Sequence, residues 1–271
     1  MTEPEHLALF RRIDRPFARF DRALLGPEHA RELQTTSELW FRCGYRPGIG
    51  AYLNFFLLRD FIELHDTRFP PRFASLRSMA RSFYATDLFI REVTDSGRQA
   101  SGGISSARVR GLLQQVQARH QAVSIPDWMM TWFGQALFEN VEKQCAPLTD
   151  EQRRLHLAYM TKAWRLMGVP FAPDRELMER FARAVEAAHA GIAPQLDQHA
   201  RAILRIGEMI GVSSHADSIL PMLSPATRAV YAARHASVRP GPLRRQVARV
   251  LGRLLLPKAV GAPRVAVPVA E

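Results

Sequence analysis

The stretch SSARVRGLLQQVQARHQAV, residues 105–123, carries the clearest helical pattern of the chain. Its apolar positions recur at intervals of 4, 3, 4 and 3 residues, a spacing typical of an α-helix with one buried face. The series is Val109, Leu113, Val116, His120 and Val123, so His120 occupies a position where a leucine would be expected. A neutral imidazole on the buried face of a helix can offer one ring nitrogen to a metal. The stretch therefore predicts a buried helix and makes His120 a candidate ligand.

The rest of the chain also has the pattern of a helical protein. Proline and glycine divide the 271 residues into helical segments, and almost no stretch alternates as strands do. A content of 47% hydrophobic and 23% charged residues is sufficient for a substantial core. We therefore predict an all-α fold with a single large helical domain over residues 1–238. Residues 239–271 are predicted to form a basic amphipathic helix and a flexible tail.

Local signals place several helix boundaries. Pro16 interrupts the amphipathic segment 6–25, which predicts two short helices or one kinked helix. Thr149 with Gln152 has the spacing of a capping box. Further helices are predicted over residues 27–34, 49–64, 72–94, 126–145, 149–168 and 174–190. The most apolar of them, residues 49–64, is expected to lie at the centre of the domain.

The segment VQARHQAV, residues 116–123, is similar to the histidine-centred helix of the rubber oxygenase and latex clearing protein family, which includes MpaB-type oxygenases. In that family, a histidine with a small residue and a valine after it is the proximal ligand of a b-type haem. His120, Ala122 and Val123 match these positions. WRLMGVPFAP, residues 164–173, resembles the family's helix end and Gly-Val-Pro turn. The resemblance, from about residue 72 to about residue 190, implies a globin-related helical core around a haem pocket.

The resemblance also implies a distal side for this pocket. The helix predicted over residues 72–94 carries a second stripe with the same spacing: Met79, Phe83, Thr86, Ile90 and Val93. A buried threonine hydroxyl usually bonds to a carbonyl one turn earlier, whereas the family places a threonine here over the iron. The family usually has an arginine, and sometimes a lysine, before that threonine. This sequence departs from the pattern, since Arg81 lies out of register with Thr86.

Basic and aromatic residues near both stripes are candidates for the walls of the pocket. The guanidinium of arginine suits the haem propionates, and the candidates are Arg119, Arg108, Arg110 and Arg91. Each is equally interpretable as a solvated helix arginine. Trp128 and Trp132 either wall the pocket or belong to the core. His156, between Leu155 and Leu157, is the only other histidine with apolar neighbours and is the rival axial ligand.

The function implied by the resemblance is a b-type haem-dependent oxygenase, with iron bound by His120. The expected partners are dioxygen, bound opposite His120, and a hydrophobic substrate of isoprenoid or olefinic type; the electron donor is not identified. The alternative is a non-catalytic helical binding protein, without haem, peripheral at a membrane surface. The sequence has no G-x-G-x-x-G, phosphate loop, H-E-x-x-H or G-x-S-x-G, which argues against several other enzyme classes. Its one E-x-x-H, Glu186 to His189, is half of what a di-iron bundle requires.

The charge and the cysteine content limit which partners and which compartment the protein can have. The formal net charge is +11, and residues 239–271 contribute seven basic and one acidic residue, or +6. The predicted helix over 243–256 either docks on the core or contacts anionic lipid at the inner face of a membrane. No nucleic-acid motif accompanies the charge. Two cysteines are too few for a disulfide framework or a cysteine-rich zinc site. Without a secretory signal or a membrane-spanning stretch, we predict a cytoplasmic protein.

Overall fold

The computed structural model describes residues 3–17, 26–43, 89, 92–93, 103–123, 126–188 and 246, and only the backbone of residues 16, 17, 43 and 119–123. This part contains helices and turns but no strands, which confirms the all-α prediction. Its α-helices are α1 (Glu5–Phe17), α2 (His29–Cys43), α3 (Ala107–Val123), α4 (Asp127–Cys145), α5 (Asp150–Leu166) and α6 (Arg175–Ala188). A 3-10 turn, Gly103–Ser105, precedes α3. The globin relationship and the domain bounds stay predictions.

Helix α4 lies at the centre of the described part. It contacts α2, α5 and α6, and its buried side chains occur on all sides between Met129 and Cys145. A helix that is apolar all round belongs in the core of a domain. The helix predicted to be central, residues 49–64, lies outside the described residues.

The starts of α4 and α5 and the end of α5 confirm the predictions from local sequence. Pro126 directly precedes α4. The backbone N–H of Gln152 donates to Thr149 Oγ1 over 3.1 Å, and the N–H of Thr149 donates to Gln152 Oε1 over 3.0 Å, which is the predicted capping box. After α5, Gly168 has a φ of +76°, in the left-handed region that favours glycine.

Helix α2 is longer than predicted. The sequence pattern indicated an end near Gln34, whereas the helix runs to Cys43. Leu39 and Trp40 are buried on the same side as Leu33, against α4 and α5. This packing extends the helix beyond its local signal, because tertiary contacts outweigh helix propensity.

Three further predictions fall partly within the described residues. Helix α1 continues through Pro16 to Phe17, and a kink beyond that point lies outside the description. Phe89, Glu92 and Val93, from the helix predicted over 72–94, are helical. No helix among the described residues has both the length and the apolar content needed to cross a membrane.

A disulfide bond is present at the end of α4. Cys145 is disulfide-bonded, and its Sγ lies 3.2 Å from the carbonyl oxygen of Leu39 in α2. Cys43, the last residue of α2, is the only other cysteine in the sequence. Disulfides are more common in oxidising compartments than in the cytosol. The cytoplasmic location therefore stays a prediction.

Candidate functional site

Helix α3 is the part of the predicted haem site that the structure describes best. Its backbone is helical from Ala107 to Val123, with Val109 and Leu113 buried and Val116 packed against the core. Helical spacing places the backbone of His120 on this same face. The predicted buried helix is confirmed. The side chains of Arg119 and His120 lie outside the description, so their roles stay predictions.

Three other predicted pocket residues lie beyond the described residues. Thr86, Arg81 and Arg91 belong to this group. Arg108 is described: its side chain is 65% exposed, and its Nη2 lies 2.8 Å from Glu92 Oε1. The guanidinium predicted to bind a propionate is thus already paired with a carboxylate.

The two tryptophans that were candidates for the pocket wall lie in the helical core. Trp132 is buried, and Trp128 packs against the core with its ring 5.2 Å from that of His6 in α1, edge to face. These contacts match the interpretation of both as core residues.

The buried face of α3 allows a fit test for haem. Its first turns are covered, since Val109 and Leu113 are buried. One turn before His120, Gln117 packs so closely on the turn after α5 that a Cβ on Gly168 would lie 2.3 Å from its Nε2. The side chains of the last turn of this face, which carries His120, lie outside the described residues. A histidine in register with a buried stripe fits the axial position of a haem, which needs only one protein ligand here.

His156 in α5, the rival ligand, is fully buried. Among the described residues, neither of its ring nitrogens has a hydrogen-bond partner, and the ring meets Phe138 of α4 edge to face at 5.0 Å. Burial lowers the pKa of His156 to about 3, so the imidazole is neutral at physiological pH. Its neighbours Leu155 and Leu157 are buried as well, as their sequence context predicts.

A polar cluster between α2 and α5 was not predicted. Lys162 Nζ donates to Glu32 Oε2 over 2.5 Å, and His29 Nδ1 lies 3.7 Å from the same oxygen. The ring of His29 stacks on that of Tyr159 at 5.9 Å. Burial raises the pKa of Glu32, but hydrogen bonding and charge from Lys162 and His29 outweigh it, so the pKa is lowered.

The sequence by itself could predict only the local part of this cluster. His29 and Glu32 are three residues apart on α2 and share a face, but Lys162 is 130 residues from Glu32. No local pattern connects positions so far apart. The carboxylate is only 4% exposed, and its charge is compensated by the ammonium group.

Exposed ion pairs surround this cluster. Arg154 bonds to Glu28 and Glu151, each over 2.8 Å, and Arg31 bonds to Glu151 over 2.8 Å. These side chains are about half exposed, so each pair contributes little to stability. Together they set the contact between the first turns of α2 and α5. Within the described ranges, no three His, Cys, Asp or Glu residues come together as metal ligands.

The chain matches no family model, no curated protein and no solved structure.

Proposed function

We propose that this chain is a b-type haem-dependent oxygenase in which His120 binds the iron. The observation that carries the proposal is the register of α3: His120 continues the face on which Val109 and Leu113 are buried. Burying an imidazole without a partner costs free energy, and an axial bond to iron would provide that partner. Bound haem supplies dioxygen binding and activation.

The chain's own residues have distinct roles in this proposal. Thr86 and Arg81 would contact a hydrophobic substrate of isoprenoid or olefinic type. Arg119 and Arg91 would hold the haem propionates. Arg108 contributes less, because its guanidinium is paired with Glu92. Trp128 packs against the core, with its ring edge to face with that of His6 in α1, and would support the pocket from there.

We expect His120→Ala to weaken hemin binding by at least about 100-fold. Replacing an outer-shell partner of a metal ligand already costs roughly 10- to 100-fold in affinity, and loss of the ligand itself should cost more. The measurement is a hemin titration of the purified full-length protein, followed by the Soret band in the oxidised and reduced states. The wild-type protein should show a band that shifts on reduction.

His156→Ala is the matched control for this titration. It removes the fully buried imidazole of His156, so that α5 rather than α3 loses a side chain. We expect it to bind hemin as the wild type does, with far-UV circular dichroism checking that both variants fold. A wild-type protein that takes up no hemin contradicts the proposal, and so does equal binding by His120→Ala. Loss in His156→Ala alone would assign the iron to α5.

The second candidate function is a non-catalytic helical protein that binds an anionic membrane surface. The pairing of Arg108 with Glu92 favours it, because this arginine is not free for a propionate. The basic segment 243–256 would make the lipid contact. We expect the full chain to sediment with vesicles containing phosphatidylserine, and a chain ending at residue 238 to remain in the supernatant at moderate salt. Vesicles of neutral lipid are the control, and equal sedimentation of both chains would exclude a role for the tail.

A further inference from the structure

The disulfide bond joins the C-terminal ends of two packed helices. Cys145, the last residue of α4, is disulfide-bonded, and the described residues include no free cysteine. Cys43, the last residue of α2, is the only other cysteine of the sequence and is therefore its partner. Cys145 is buried, and its Sγ lies 3.2 Å from the carbonyl oxygen of Leu39 in α2. The covalent link thus lies directly against the last two turns of α2.

These last two turns, residues 36–43, bury polar atoms without replacing their bonds to water. Thr36, Ser37 and Trp40 are all buried. Within the part of the chain that the structure describes, Thr36 Oγ1, Ser37 Oγ and Trp40 Nε1 have no hydrogen-bond partner. Such an atom costs free energy, because it loses water and gains no bond in return. This cost offsets part of the free energy gained by burying the apolar surface of Leu39 and Trp40.

The first half of α2 has a separate attachment. Glu32 Oε2 accepts a hydrogen bond from Lys162 Nζ of α5 over 2.5 Å, and Leu33 belongs to the core. Leu33 also lies close to the turn before α3, since a Cβ on Gly103 would lie 2.8 Å from Leu33 Cδ1. None of these contacts involves the disulfide. Loss of the disulfide therefore removes an anchor from residues 36–43 and leaves the first half of α2 attached.

We propose that the disulfide between Cys43 and Cys145 is a redox-sensitive link, and that residues 36–43 separate from α4 when a low-molecular-weight thiol reduces it. The bond between the two protein sulfurs breaks, and a disulfide forms between two molecules of the small thiol. These two molecules supply two electrons and two protons to the protein sulfurs. Separation returns the three unpartnered polar atoms to water and uncovers Leu39. The device needs no haem, so it is independent of the proposed function.

The test is hydrogen exchange of the full-length protein without hemin, measured by mass spectrometry at constant pH. The protein is equilibrated with defined ratios of reduced to oxidised glutathione, and labelling of free thiols gives the fraction that is reduced. Peptides from residues 36–43 should lose at least about 30-fold in protection on reduction, the lower end of what a native disulfide contributes. This loss should follow the reduced fraction. Peptides from Arg175–Ala188 in α6 are the internal reference and should not change.

Three variants separate the covalent link from the burial of polar atoms. Cys43→Ser cannot form the disulfide, so its residues 36–43 should have the low protection of the reduced wild type at every glutathione ratio. A double variant, Thr36→Val with Ser37→Ala, removes two unpartnered hydroxyls and keeps both cysteines. Its reduced form should keep more protection in residues 36–43 than the reduced wild type does. Thr35→Val makes the same change at a partly exposed neighbour and should behave as the wild type does.

Several outcomes would overturn the proposal. One is an unchanged protection of residues 36–43 in the fully reduced wild type. Another is a loss of equal size in α6, because reduction would then destabilise the whole protein rather than two turns of α2. A protein that keeps two free thiols after treatment with oxidised glutathione also overturns it. Should Cys43→Ser not fold, the reduced wild type and the Thr36→Val, Ser37→Ala double variant decide by themselves.

Discussion

Relative to a His156→Leu variant, the wild-type protein should lose about 2.5 kcal/mol of unfolding free energy between pH 7 and pH 4.5. The imidazole is fully buried and has, within the part of the chain that the structure describes, no hydrogen-bond partner on either nitrogen. Burial lowers its pKa from 6.5 to about 3. Between these values the unfolded chain takes up a proton that the folded chain excludes. The contribution of His156 to the free energy of unfolding is therefore fully present above pH 6.5 and is lost as the pH falls towards 3.

Leucine is the informative replacement because it has a similar size and no polar atoms. Replacing both unpaired nitrogens by apolar atoms removes a desolvation cost, so the variant should be at least as stable as the wild type at pH 7. Urea unfolding of both proteins at pH 7, 6, 5 and 4.5 gives the free energies. The difference between the two proteins is the quantity of interest, since burial raises the pKa of Glu186 in α6 to about 7 and thereby changes stability in the opposite direction over part of this range.

The Glu186→Gln change provides the control for this experiment. His156 of α5 faces Phe138 of α4, whereas Glu186 lies in the last turn of α6. Effects at separate sites are usually additive, so the pH dependence of the His156 difference should be the same in the Glu186→Gln background. If the unfolding free energies of the wild type and His156→Leu changed with pH in parallel, the folded protein would protonate His156 as readily as the unfolded chain does, and the prediction would be wrong.

A Gly134→Ala change should lower the unfolding free energy by about 2 kcal/mol. Gly134 lies in α4 under the indole of Trp164, and an added Cβ would lie 2.6 Å from Trp164 Cε2 and 3.0 Å from Phe171 Cε2. The indole has little freedom to move, because it stacks on Phe171 at 6.4 Å and meets Phe133 edge to face at 6.3 Å. The methyl group would therefore push α4 and α5 apart.

Gly111→Ala is the matched control, since Gly111 is also inside a helix, α3. An added Cβ there meets nothing within 4 Å. Alanine should stabilise α3 by about 0.5 to 1 kcal/mol, through the lower backbone entropy of the unfolded chain. Thermal and urea unfolding of both variants give the comparison. If Gly134→Ala were as stable as Gly111→Ala, the close approach of Trp164 to α4 would be refuted.

Several features of this protein follow from the sequence by itself. The all-α class, the buried face of α3, the start of α4 after Pro126 and the capping box of Thr149 depend on residues within about four positions of each other. A helix forms and caps its first turn through contacts at this range. For that reason local patterns were sufficient to predict these features, and the turn at Gly168 was predicted in the same way.

The tertiary structure decided the features that join distant parts of the chain. The end of α2 depends on what Leu39 packs against, and Glu32 meets Lys162 only because α2 and α5 lie side by side. The burial of His156 and the raised pKa of Glu186 likewise depend on which helices surround them. Desolvation and charge compensation are set by these neighbours, which spacing along one helix does not specify. Sequence determined where helices form, and their packing determined which ionisable groups are buried and unpaired.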